Sequence, residues 1–185
     1  MPESRRWYTE RETFVAVAAL IVSISAVAVG IYEASLQRHH DRAEVWPHVE
    51  IQLFYSDTGV TLSLENSGIG PAIVETMIVS VDSQPRRSWL DVLTAMNGGR
   101  PKTGFSYYSA TQHALRSGER LDVVHEPRAD LPDSVGRAMA RTSIYVCYGS
   151  VFEQFWSVSV AHLGRSAISW TPVKHCPAQP DSTDF

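Results

Sequence analysis

The sequence predicts a mainly β protein, one antiparallel sandwich of about seven short strands behind a single transmembrane helix. Three observations carry this. Residues 14–32 read FVAVAALIVSISAVAVGIY, an apolar run without a charge or a proline. After Pro47 the hydrophobic period changes from helical to two. Turn clusters then recur between short apolar segments, with little helix-forming sequence among them. In a chain of 185 residues, one membrane span leaves enough for a single domain of ordinary size.

The run from Phe14 to Tyr32 makes about 28 Å of helix, the thickness of a bilayer core. Glu12 and Glu33 bracket it, and Trp7, Tyr8 and Tyr32 stand where interfacial aromatics belong. A buried core helix would carry a polar stripe, yet between Phe14 and Ile31 only Ser23 and Ser25 are polar. Ala26-Val27-Ala28 fits the small-x-small pattern of a signal-peptide cleavage site. The apolar run continues past it through Val29, Gly30 and Ile31 and exceeds the usual signal length, so an uncleaved anchor is expected. Arg5, Arg6 and Arg11 precede the span and Arg38 and Arg42 follow it, which favours an inside-facing N-terminus. Ala16, Ala19, Ser23, Ala26 and Gly30 share one helix face, but a helix this rich in small residues produces such rows by chance. His39 and His40 point about 100° apart on a helix and make a poor metal pair.

From these boundaries the chain divides into a cytoplasmic tail (1–12), a transmembrane helix (13–32), a helical stalk (33–46), a β-sandwich domain (47–176) and a disordered tail (177–185). Val49, Ile51 and Leu53 alternate with polar neighbours, Ser56-Asp57-Thr58-Gly59 turns the chain, and Val60, Leu62 and Leu64 alternate again: a hairpin with one wet face. Asn66 to Pro71 is a second turn, leading to a strand on which Ile73, Met77, Val79 and Val81 share a face. Ser88 to Met96 has the composition of a short helix or a bent edge, and Asn97 to Pro101 that of a loop. Further strands are expected at 105–109, 120–125, 142–148, 154–161 and 167–173, with one or two helical turns at 134–141 capped by Asp133. The expected core comprises Val49, Ile51, Leu53, Val60, Leu62, Leu64, Val79, Val81, Leu121, Val123, Ile144, Val146, Trp156, Val158 and Val160.

Composition excludes some functions. The net charge of -4 argues against binding nucleic acid by counterion release, which needs a basic face. The two cysteines, Cys147 and Cys176, form a candidate disulfide outside the cytoplasm. No H-E-x-x-H, C-x-x-C or G-x-S-x-G pattern occurs. Gly68-Ile69-Gly70-Pro71 precedes a strand rather than a helix, so it is a turn and not a dinucleotide loop. No catalytic residue, metal ligand or cofactor is assigned.

Leu64-Glu65-Asn66-Ser67-Gly68-Ile69-Gly70-Pro71-Ala72, followed by Val79-Ser80-Val81-Asp82-Ser83, resembles the N-x-G-x-G-P-A turn and V-x-V-D-G strand of bacterial immunoglobulin-like domains. Ser117-Gly118-Glu119 before Leu121-Asp122-Val123 is similar to a turn of such domains, including those of the cell-adhesion-related type. Residues 145–152 with Trp156 look like a strand pair of uncharacterised single-span bacterial membrane proteins, whose further cysteines around this hairpin are replaced here by Gly149 and Phe155. The resemblance spans most of residues 46–156. It implies an immunoglobulin-like antiparallel β-sandwich on the outer face of a bacterial cytoplasmic membrane, and its motifs are turn chemistry, so no catalytic residue is carried across.

For function, the expectation is a non-enzymatic interaction module. Its partners are membrane lipid through the helix, and another envelope protein or a second copy through a contact surface of Val151, Phe152 and Phe155, since exposed aromatics anchor interfaces. Two alternatives stand beside it. One is an envelope enzyme, hydrolase-like, with a site built from His113, His125 or His162 and nearby carboxylates. The other is an accessory subunit whose helix packs within a larger membrane complex.

Overall fold

The computed structural model describes residues 3–44, 46–102, 104–128, 135–164, 168–180 and 183–185, and within the first helix the side chains of 11–37. It forms two compact units, Met1–Ala43 and Glu44–Phe185.

Helix α1 (Glu3–Glu44) is continuous over 42 residues, joining the expected span and stalk. It ends before Pro47, as the steric clash between a proline ring and a preceding helical residue requires. Its segment Arg11–Gln37 is long and apolar enough to cross a membrane, with a mean hydropathy of 2.7 and none of it buried. Ser23 and Ser25 turn their hydroxyls back to the carbonyls of Ala19 and Ile21, at 2.8 and 2.9 Å. That satisfies both donors within the helix.

The second unit is built on β1 (Val49–Tyr55), β2 (Gly59–Asn66), β3 (Ala72–Val81), β4 (Gln84–Pro85), α2 (Trp89–Asn97), β5 (Ser106–Tyr107), β6 (Ala114–Leu115), β7 (Arg120–Pro127), α3 (Val135–Met139), β8 (Thr142–Gly149), β9 (Phe155–Val160) and β10 (Ile168–Val173). Among the described residues, seven strands run to six residues or more, and β4, β5 and β6 are two-residue pieces. One sheet has the order β1-β2-β7-β5; the other has the order β10-β9-β8-β3-β4, with β6 added beside β3. All pairings between these strands are antiparallel. The two sheets enclose one common core in a sandwich-like arrangement.

Alternation on each strand delivers one face to the common core. Val49, Ile51, Val60, Leu62, Leu64, Val79, Val81, Val123, Ile144, Val146, Val158 and Val160 are buried there, with Leu53, Leu121 and Trp156 packed at its margin. Ile73 departs from the expected face. A bulge between Val74 and Thr76 shifts the parity of β3, so Ala72 and Val74 point inward with Met77, and Ile73 stays half-buried. The β3–β4 turn puts Asp82 and Ser83 at φ 55° and 63°, the left-handed pair that suits the twist of a two-residue hairpin.

Helix α2 is more than an edge. Ser88 caps it by accepting from the Asp91 amide at 3.2 Å, and Trp89, Val92, Leu93 and Met96 bury its inner face. Asp133, expected as a cap for α3, lies outside the described residues, as do Val45 and Ala167.

Of residues 177–185, expected as a disordered tail, the described ones, 177–180 and 183–185, instead pack against the second sheet and α2. Thr76 donates from its hydroxyl to the Pro177 carbonyl. The Gln179 side chain accepts from the Met77 amide at 2.9 Å and donates to the Met77 carbonyl at 3.1 Å, filling the gap between β6 and β4 along the edge of β3. The Asp184 amide donates to the Arg87 carbonyl at 2.8 Å. Phe185 is 1% exposed and meets Trp89 edge-on, ring centroids 5.2 Å apart. Its carbonyl accepts from the Thr111 amide at 3.1 Å and the Ser109 hydroxyl at 2.6 Å.

Candidate functional site

The hairpin joining β8 and β9 carries the residues expected to make contacts. Its tip is held rigidly. The Ser150 amide donates to the Gln154 carbonyl at 2.8 Å, the Glu153 amide to the Ser150 carbonyl at 3.1 Å, and the buried Ser150 hydroxyl accepts from the amides of Phe152 and Gln154. With its own polar groups satisfied, the turn projects Val151 and Phe152, which are 53% and 42% exposed. Phe155 does not join them outside. It begins β9, lies over Gly149, where a Cβ would stand 2.9 Å from its ring, and faces His175 at 6.3 Å. Phe155 therefore supports the tip, and Val151 and Phe152 form it.

Below the tip, the sulfurs of Cys147 and Cys176 stand 2.05 Å apart, at disulfide distance, with Cα atoms 5.6 Å apart. Cys147 is fully buried on the outer face of the second sheet, beside Thr76. This link ties β8 to the segment after β10 rather than joining the two sheets through the core.

The turn between β2 and β3 stands at the same end. Asn66, fully buried, accepts through Oδ1 from the amides of His48 and Gly68, both at 3.1 Å. It donates through Nδ2 to the carbonyls of Gly70 at 2.8 Å and Leu115 at 3.0 Å. Every hydrogen-bonding direction of its amide is used. Gly68 packs so closely on the chain before β1 that a Cβ would meet the His48 nitrogen at 2.3 Å and the Trp46 carbonyl at 2.5 Å. The amide of Ile69 donates to the Trp46 carbonyl at 3.0 Å. The N-x-G-x-G-P-A turn thus clamps the chain where it joins the sandwich.

The histidines are dispersed. His113 pairs with Glu119 at 3.5 Å and meets Tyr108 edge-on. His125 Nδ1 lies 2.8 Å from the Thr61 hydroxyl, and His162 Nδ1 lies 2.9 Å from the Ala140 carbonyl. No partner is shared between them. Glu119 is held below the usual carboxylate range, first by the Arg116 amide at 2.8 Å and then by His113. Ser63 donates to Asp122 at 2.7 Å, an arrangement without the imidazole that would take a serine proton. Among the described residues, no three His, Cys, Asp or Glu side chains converge to hold a metal.

Sequence reasoning missed a small apolar cavity of about 40 Å³ between α2 and the two sheets, lined by Trp89, Met96, Met139 and Leu163 and reached by Glu126. Glu126 is buried and accepts from the Asn97 side chain. The 89, 92, 93, 96 spacing of α2 was the signal for its inner wall. No protein-family model matches the chain, and neither a curated protein nor a solved structure matches it significantly.

Proposed function

We propose that this chain is a single-pass protein of a bacterial cytoplasmic membrane that holds one non-enzymatic, immunoglobulin-like sandwich on the extracytoplasmic side. There the β8–β9 tip is its contact surface within the envelope. The observation that carries the reading is the Arg11–Gln37 helix, whose Phe14, Val15, Leu20, Ile21, Val22 and Ile24 are all exposed. A lipid solvent accounts for such a surface, whereas in water it would be a large apolar patch. Two further features support this side of the membrane. Cys147 and Cys176 at bonding distance suit an oxidising compartment, and the arginines weighted before the span suit an N-terminus inside. The resemblance of the 64–83 segment to bacterial immunoglobulin-like domains points the same way.

Alkaline extraction of membranes, followed by protease treatment of cells with a permeabilised outer layer, tests both halves. The chain is expected to stay in the extracted membrane pellet and to lose its sandwich to external protease while residues before the span stay protected. Recovery in the aqueous supernatant would overturn the anchor; a protected sandwich would overturn the orientation.

A further inference from the structure

The chain has two asparagines, and the fold treats them oppositely. Asn66 is fully buried, every hydrogen-bonding direction of its amide is engaged, and Ser67 follows it. Asn97 is the last residue of α2, half-buried, and two glycines follow it. Gly98 takes the left-handed conformation that ends the helix, at φ 71°. A Cβ built on Gly98 or on Gly99 would meet nothing within 4 Å. Through Nδ2 the Asn97 amide donates to the buried carboxylate of Glu126 on β7, while its Oδ1 meets no donor among the described residues. The contact with Glu126 ties the end of α2, whose Trp89 and Met96 wall the cavity, to the first sheet.

From this juxtaposition we infer that Asn97 is a site of spontaneous deamidation, and that its product releases the end of α2 from β7. The Gly98 amide nitrogen attacks the Asn97 Cγ and closes a succinimide ring. Nδ2 leaves as ammonia, carrying the proton that the Gly98 nitrogen gives up. Water then adds to one of the two ring carbonyls and breaks its bond to nitrogen. The product is aspartate or, with the chain rerouted through the side-chain carbon, isoaspartate. One water is consumed and one ammonia released, with no oxidation or reduction. Glycine is the following residue that permits this: without a Cβ it neither shields its nitrogen nor restricts the backbone angles the ring requires. The end of a nine-residue helix is also where the backbone opens most readily. Open space beside both glycines accommodates the additional backbone carbon of isoaspartate. The consequence is electrostatic. The group facing Glu126 changes from a donor into a second carboxylate, and two neighbouring carboxylates do not both ionise without cost. Glu126 is 4% exposed, so salt and solvent screen the repulsion poorly. The end of α2 then loses this hold on β7, and the cavity wall it carries loosens. Because the reaction runs one way, it records the age of the molecule.

The test uses the full chain in detergent. The protein is aged in mildly alkaline buffer made with heavy-oxygen water, then digested, and its peptides are sequenced by electron-transfer fragmentation, which separates aspartate from isoaspartate. Position 97 is expected to convert about tenfold faster than position 66, with solvent oxygen incorporated and isoaspartate among the products. No conversion at 97, equal conversion at the two asparagines, or aspartate without isoaspartate overturns the inference. Two variants read the consequence. Asn97→Asp is expected to lower the melting temperature by about 5 °C, and adding Glu126→Gln to recover most of that, since the introduced amide donates to the new carboxylate. An Asn97→Asp chain as stable as the parent, or one that Glu126→Gln does not rescue, overturns the release of α2. Should Asn97→Asp not fold, hydrogen exchange of the aged parent chain decides. Faster exchange in α2 after ageing supports the release, and unchanged exchange there overturns it.

Discussion

The two ends of the chain invert the usual relation between hydrophobicity and burial. Residues 14–32 are its most apolar stretch, and in the helix they bury nothing. Residues 177–185, PAQPDSTDF, are polar throughout except at Ala178, the two prolines and Phe185. Yet this segment ends in one of the largest fully buried side chains of the sandwich. Composition therefore reports the solvent that a segment needs, while burial is decided by whether the fold offers a site. The helix is long and apolar enough to cross a membrane. The tail has three such sites: the Thr76 hydroxyl, the open edge of β3 at Met77, and the ring of Trp89.

Each side of that contrast can be broken. The largest effect is expected at the helix. A charged side chain at the middle of a span disfavours insertion by about 2.5–3.5 kcal/mol, so Val22→Arg with Ile24→Arg should shift most of the chain out of the membrane pellet on fractionation. Next comes the end of the tail. Phe185→Ala removes a fully buried ring and should lower unfolding stability by about 3–5 kcal/mol, measured by urea titration in detergent, while the exposed Phe152→Ala changes it by less than about 0.5 kcal/mol. Equal losses in the two variants would mean that Phe185 is not part of the core.

The covalent tie ranks third. Cys147 and Cys176 are separated by 29 residues, and the chain-entropy treatment of such a loop gives about 3.6 kcal/mol lost on reduction. Alkylation of both thiols without a reductant would contradict the tie altogether. The smallest effect belongs to Gln179. Its amide serves one donor and one acceptor of Met77, and Gln179→Ala should cost about 1–2 kcal/mol. Hydrogen exchange at the Met77 amide should rise selectively, and an unchanged rate there would remove the edge-filling role.

How much of this was legible in the sequence depended on whether the cause was local. The hairpin of β1 and β2, the long strands β7, β8 and β9, and the tip at Val151 and Phe152 follow from alternation and turn chemistry, which neighbouring residues determine. The resemblance of the 66–72 turn to immunoglobulin-like domains was visible too, though the reason for Asn66 was not. Four partners, from His48 to Leu115, assemble around its amide only after β1, β2 and β6 have met. Ile73 was misplaced because a bulge alters parity without any signature in a single strand. Phe155 was read as a contact residue because a turn-adjacent aromatic looks exposed until Gly149 and His175 are placed beside it.

By itself the sequence determined which segment is long and apolar enough to cross a membrane, since that is set by side-chain chemistry and its period. It determined in the same way that the second part is β. Only the tertiary structure decided which turns share an end and where the two sulfurs meet. It also decided that a polar tail closes the core. These depend on pairings between residues far apart in the chain, and a one-residue change of register or a single bulge reassigns them at little local cost.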